Sequence, residues 1–587
     1  MSRSPRWLLK YSALAASFAI VLAACGGSTT STAPSTAPST APLSQAPASA
    51  PASASAAAYD GMAYPATAID CANRPVDAKG NKYSGEFSQI KAVDQYTVEF
   101  DMCAPDVAFL QKIAFATNGI QDSAWLTAHA ADKSYVRTMN GTGPYMFKEW
   151  VTGDHITLVA NPNYWGDNKP IAQTLIFKWA DTAEKRLQDL QAGPTTADGI
   201  DNVAPDDFDT VKNDTSLQLL PRDAFSTLYL GFNVNDAPWD NEKIRQAIAK
   251  GIDRKRILDL FNAPGSTVAD YFTPCTVAGG CEGDPWYTYD KAAAISELKA
   301  ANFDFSKTYD LYFRPKVRQY FPNPPATATE IQAQFKSLGI DLKIHTEDNN
   351  TYLTNSNKGQ YSLFLLGWGG DYPDMTDWVD YHFGIGAQDA FGKKFTDLTT
   401  LLSAGASELD ATKRLDIYKQ ANNLIKQHVP MIPLNHAASA AAYQADVTGA
   451  QASPLGVDIF SVVKPGDRNQ IVFEQNAESA GVYCGDESDG DSLRNCEQVY
   501  DTLYAYKIGG TDVVPSLASA CTPNPDGTKW TCTLRQGVKF HDGTDLDAND
   551  VVATLAAQWD PNNPLHVGNG GTFDYWGALW GGFIPKK

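Results

Sequence analysis

The stretch "LFLLGWGGDYPDMTDW" gathers Trp368, Asp371, Asp374 and Asp377 around a Gly-rich loop directly after an apolar run. Neighbouring carboxylates can serve as the acid and base of a hydrolase. A Gly-rich loop fed by a buried strand can also turn side chains toward a cavity. The competing expectation is structural, because Tyr372-Pro373-Asp374 has the composition of a turn that Asp371 would merely cap. A second acidic group, Asp486, Glu487, Asp489 and Asp491 in "CGDESDGDSLRNC", lacks the alternating ligands and distant Glu of a calcium loop. It reads better as a solvated, helix-initiating loop, with Asp489 kept as a candidate ligand contact. The eight His are scattered, and the His of "HTED", His436 and His541 lack partners at metal-ligand spacing, so no metal and no cofactor are expected. There is no G-x-S-x-G, H-E-x-x-H or P-loop, which leaves a secreted hydrolase resting on the Asp group alone.

Eight of the nine Cys fall into local pairs: Cys71 with Cys103, Cys275 with Cys281, Cys484 with Cys496, and Cys521 with Cys532. An even set in an exported chain predicts disulfides. The last pair flanks the turn signal Pro525-Asp526-Gly527 in "CTPNPDGTKWTC". Export is predicted by the start of the chain. Arg3, Arg6 and Lys10 precede the short apolar run "YSALAASFAIVLAA", and "LAAC" ends at Cys25 in the small-residue pattern of a bacterial lipobox. Residues 1–24 are thus expected to be a lipoprotein signal peptide, with Cys25 lipidated. Residues 25–58, rich in Ala, Pro, Ser and Thr, have almost nothing to bury and read as a tether. The net charge of −20 leaves no basic footprint for nucleic acid.

Positioning elements follow from periodicity. "SQIKAVDQYTVEFDM" reads as two strands around a turn, and residues 143–166 as a hairpin. "STLYLGFNVN" is a strand carrying Tyr229, and residues 241–261 form one amphipathic helix with Ile244, Ile248, Ile252 and Ile257 near one face. Residues 410–436 read as a long helix followed by a short strand. "TCTLRQGVKFHDGTDLDANDVV" is a strand with Trp530, Cys532 and Leu534 inward, a turn, and a helix capped by Asp547. Its expected partners are the strands around 88–102 and 143–160. Mixed elements over 587 residues predict an α/β architecture of more than one lobe.

The phrases "NGTGPYMF", "ANPNYWGDNKP", "LGFNVNDAPWDNEKIRQAIAKGIDR", "GWGGDYPD" and "IPL" stand in an order and spacing that resembles family 5 extracellular solute-binding proteins. These are the dipeptide-, oligopeptide- and nickel-type receptors of ABC importers. "VYDTLYAY", "VVPSLA" and the segment from Thr531 are similar to the same family, where they come first; here they come last. The resemblance therefore implies a circularly permuted chain, its old ends joined around "VVKPGDRNQIVF" and its new ends formed by "AYDGMAYPATAID" and "FDYWGALWGGFIPKK". A truncated receptor followed by the front of a second one is the rival, but no motif is repeated.

The implied fold is a two-lobed periplasmic-binding-protein-like clamp of type II with an extra subdomain. Residues 59–233 plus 451–587 would make one lobe and 234–450 the other. The implied role is that of a monomeric, membrane-anchored extracytoplasmic receptor, delivering a peptide or similar organic solute to ABC permease and ATPase subunits. An oligosaccharide receptor of the same fold is the alternative. By the same resemblance Asp371 accepts the ligand's α-amino group, a charge-assisted bond, with Trp368, Tyr372, Tyr229 and Asp489 as further contacts. Oligopeptide receptors can carry an Arg three residues before this Trp. Here the position is Leu365, and no Arg lies between Arg318 and Arg414, leaving Lys358 as a point-charge substitute.

Overall fold

Alternating burial along Lys529–Leu534 places Trp530, Cys532 and Leu534 inward, as the period-two pattern requires. In the computed structural model, which describes residues 59–77 and 79–585, this strand joins a five-stranded sheet. It pairs antiparallel with Thr97–Met102 on one side and Ala518–Pro523 on the other. Phe87–Asp94 and Ala63–Tyr64 complete that sheet. The hairpin Tyr145–Val151 and His155–Ala160 is not its neighbour, contrary to expectation. That hairpin instead opens a seven-stranded sheet with Thr174–Trp179, Gln470–Gln475, Gly199–Ile200, Ser439–Gln444 and Leu217–Arg222. The Asp547 cap is as expected: its side chain accepts from Asn549, while Asp550 reaches back to the Asp547 backbone.

A six-stranded sheet runs in the order Thr267–Val268, Met431–His436, Ser226–Phe232, Leu363–Gly369, Thr308–Phe313, Asp341–Thr346. Its core is separate from the one shared by the other two sheets. Ser226–Phe232 thus sits in the second lobe's sheet although residues to 233 were expected in the first. Ser439–Gln444, expected in the second lobe, returns to the seven-stranded sheet. The chain passes between lobes at 223–225 and again at 437–438. No helix among the described residues is long and apolar enough to cross a membrane.

The helix expected over 241–261 is two helices, Glu242–Gly251 and Arg254–Phe261. Ile252 between them is extended, and the Asp253 side chain accepts from the Arg256 backbone to start the second. A local capping bond therefore overrides a continuous apolar stripe. All four expected disulfides are present. The expected signal peptide, Cys25 and the tether lie outside the described residues.

Candidate ligand-binding site

Leu363–Gly369 lies between the antiparallel strand Ser226–Phe232 and the parallel strand Thr308–Phe313. The parallel ladder closes at Phe313 opposite Leu365, so the residue after Phe313 lies beside the last part of the longer strand, at the edge where open α/β sheets bind ligands. Gly369 ends the first strand and Gly370 and Asp371 follow it; past the second comes Arg314. A Cβ on Gly370 would come within 2.2 Å of the Phe225 ring, so only glycine lets the loop turn here.

A cavity of about 280 Å³ opens at this edge, at the small end of the roughly 300–1,000 Å³ range of ligand pockets. Trp368, Tyr229 and Asp371 all line it. The Trp368 ring stacks on Tyr381 with centroids 4.1 Å apart and meets His382 edge-on at 5.3 Å. Tyr229 forms part of the floor, packed among Phe272, His382 and Phe391. Burial holds His382 neutral, its imidazole lowered to about 3, with Nδ1 2.6 Å from the Trp378 carbonyl oxygen.

Asp371 is the anionic group of the cavity. Its Oδ1 accepts from the Tyr575 hydroxyl at 3.0 Å, and its backbone N–H donates to Asp377 Oδ2 at 2.9 Å. Burial raises its carboxyl to about 7, an effect the Tyr575 bond only partly offsets. Asp377 is raised well above the carboxylate range by burial and by the nearby Asp371 charge. Asp374 is occupied otherwise: Arg414 grips it bidentately at 2.8 Å, and it accepts from Thr376 N and Oγ1. The three carboxylates therefore divide into one exposed to the cavity, one supporting its loop, and one in a structural ion pair. That division does not supply a hydrolase's acid and base.

Two expected residues stand elsewhere. Tyr372 turns into the core, its hydroxyl 3.1 Å from Thr376 Oγ1, because consecutive residues of the turn point to opposite sides. Asp489 caps the helix Gly490–Val499, accepting from Asp491 and Ser492 backbone N–H groups. It does not line the cavity. The neighbouring acid Asp486 accepts from four consecutive backbone N–H groups, residues 570–573, leading into the helix that carries Tyr575. Among the described residues no cluster of His, Cys, Asp or Glu is arranged to hold a metal ion.

The cation absent at Leu365 has a counterpart in the cavity wall, Arg314. It is 5% exposed and lines the cavity, with its guanidinium donating to Asn349 Oδ1 at 2.7 Å and Tyr320 hydroxyl at 2.6 Å. Lys358 is exposed and is not a lining residue. A strand followed at once by Arg in "YDLYFRPK" was the available signal, since a parallel strand delivers its next residue to the sheet's binding edge. Tyr575 had no local signal; only the tertiary fold brings it from the other lobe.

A family model described as bacterial extracellular solute-binding proteins, family 5 middle, matches residues 46–389 and 512–572. The di/tripeptide-binding protein 1 of Pseudomonas aeruginosa (strain UCBPP-PA14) is 29% identical over 386 residues, covering 65% of this chain and 71% of that protein. The heme-binding protein A of Haemophilus influenzae is 27% identical over 389 residues, covering 65% and 70%. Among solved structures, HbpA2 from Haemophilus parasuis superposes with a TM-score of 0.58 at 25% identity, over 65% of this chain and 76% of that one. A dipeptide-binding protein from Pseudoalteromonas sp. SM9913, in complex with Met-Leu, gives 0.55 at 20% identity over 64% and 74%. The latter likeness is one of fold: a two-lobed α/β clamp.

Proposed function

The chain belongs to the family 5 bacterial extracellular solute-binding proteins, which are binding proteins and not enzymes, and from that premise we propose that it captures short peptides by their two charged ends. The observation that carries this reading is one cavity holding both a carboxylate, Asp371, and a buried guanidinium, Arg314. A zwitterion satisfies both: its ammonium would bond Asp371 and its carboxylate Arg314, each a charge-assisted contact in a desolvated site. The remaining lining is largely aromatic and apolar, with the amides of Asn357 and Gln388 among it, and suits peptide side chains and backbone. Relatives named for di- and tripeptides support the choice of ligand class.

On the same reading the receptor is a monomer tethered to the outer face of the cell membrane by a lipid on Cys25, and hands its ligand to an ABC permease with its ATPase subunits. Closure of the two lobes is the signal that such a clamp gives. The motif order is that of a circular permutation. Two hydrogen bonds support it: Glu86 N–H donates to the Trp580 carbonyl at 2.9 Å, and the Ser84 side-chain hydroxyl to that of Gly581 at 2.5 Å. The segment that ends the last helix thus runs beside the entry to Phe87–Asp94, as it would if the two were successive.

The test is mass spectrometry of ligands carried by the full chain purified from its own host. Short peptides with free termini are the expected result. Oligosaccharides, haem or a metal chelate in their place would overturn the proposal.

A further inference from the structure

A second cavity, about 540 Å³, lies within the first lobe and shares no lining residue with the Asp371 cavity. Tyr506 stands between the two: its ring lines the second, while its hydroxyl donates to the Gln111 carbonyl at 2.8 Å and reaches toward the Asp371 backbone carbonyl at 3.4 Å. Two walls are the rings of Tyr164 and Trp165. Their orientation is fixed because Asp501 accepts from the Trp165 indole N–H at 2.8 Å and the Tyr164 hydroxyl at 3.2 Å. Thr142 Oγ1 also donates to Asp501 at 2.8 Å, so this carboxylate is fully engaged.

Glu497, a second lining acid, is not; the third, Asp167, is exposed to solvent. Glu497 Oε2 is buried and has no hydrogen-bond partner. The guanidinium groups whose charge it feels, Arg494 and Arg222, form their ion pairs with other carboxylates. Arg222 bonds Asp201 at 2.9 Å and Asp458 at 2.8 Å; Arg494 bonds Asp201 at 2.6 Å and Asp491 at 3.2 Å. Of the four carboxylates in this group, Glu497 is the one with no ion pair among the described residues. Burial accordingly pushes its carboxyl well above the usual range. The aromatic wall already tolerates positive charge, because the Arg535 guanidinium lies 5.2 Å from the Trp165 ring centroid.

We propose that this cavity is a second binding site, for a small organic cation: a primary ammonium on a short apolar body, donating to Glu497 and packing against Tyr164, Trp165 and Tyr500. A desolvated carboxylate gains most from a donor that brings charge, and aromatic faces favour a cation over a neutral isostere. The site rests on residues other than those that line the first cavity, so its failure and the failure of the peptide reading are distinguishable.

The test titrates n-butylammonium, with n-butanol as the neutral control, into the full chain carrying Asp371→Asn, so that the first cavity does not compete. Binding is followed by calorimetry and by the Trp165 indole N–H resonance. Saturable ammonium binding is expected, with n-butanol at least tenfold weaker and Glu497→Gln weakening the ammonium at least tenfold. Val514 is 39% exposed at the rim of this cavity, and Val514→Trp should block entry; it decides the matter should Glu497→Gln fail to fold. Equal affinity for ammonium and alcohol, unchanged affinity in both variants, or no saturable binding would each overturn the proposal.

Discussion

Asp371 is a carboxylate whose burial conflicts with its charge until a cation arrives. With its carboxyl near 7, it is largely protonated at pH 5.5 and half ionised at pH 7, while a peptide's α-amino group stays an ammonium across that range. Only the ionised form is a full partner for the ammonium, so affinity should rise as pH rises from 5.5 to 7. Calorimetry at constant ionic strength checks this; a flat profile would remove Asp371 from the ammonium contact. Arg314→Met should keep the packing of the strand end while removing the guanidinium. It should weaken a dipeptide with a free carboxylate by about tenfold to a hundredfold, from the roughly 1.5–3 kcal/mol of a bond to a charged group, and leave the corresponding peptide amide little changed. These side chains were unequally legible in the sequence. Asp371, Trp368 and Tyr229 announced themselves by a motif on a strongly apolar strand. Tyr372 and Asp489 were the right kinds of residue, but sequence does not say which way a turn residue faces or that a cap will absorb a carboxylate. Arg314 lies just upstream of the window in which a carboxylate partner was sought, and its role depends on which strands become neighbours.

At the scale of elements, the local signals were the reliable ones. The four disulfides join residues 6 to 32 apart, so the simplest local pairing is the one formed. The Asp547 capping box depends on four successive residues. What failed was non-local: the partner of Lys529–Leu534 beyond Thr97–Met102, and the break at Ile252, where an apolar stripe ran across a cap. Cys484–Cys496 ties the turn Cys484–Asp486 to the helix Gly490–Val499, which carries Arg494 and Glu497. A bridge closing so short a loop stabilises by about 3 kcal/mol. Replacing both cysteines by Ala should therefore lower the unfolding free energy by about 2–4 kcal/mol in a denaturant titration. Asp547→Ala should cost about 1 kcal/mol without changing ligand affinity, because its bonds serve the helix start and not the cavity.

At the scale of the whole molecule, the first lobe completes the second lobe's site. Tyr575 and Tyr506 both reach across to Asp371, one to its carboxylate and one to its backbone. The order of segments matters less than their final positions, which is the physical content of the proposed permutation. A chain opened at the Gly466-Asp467 turn, where Asp467 is exposed, with residue 585 linked to residue 59 through a flexible Gly/Ser segment, should fold and bind the same peptides within about threefold. Loss of cooperative folding in that rewired chain would contradict the permutation. The central claim is recognition of a zwitterion by Asp371 and Arg314 within one cavity. Its most direct measurement is calorimetric titration of the full chain with one dipeptide in three forms: both termini free, N-acetylated, and C-amidated. The account predicts that each blocked form binds at least tenfold more weakly than the free one, the acetyl form losing its Asp371 contact and the amide its Arg314 contact. Equal affinity for all three forms would contradict it.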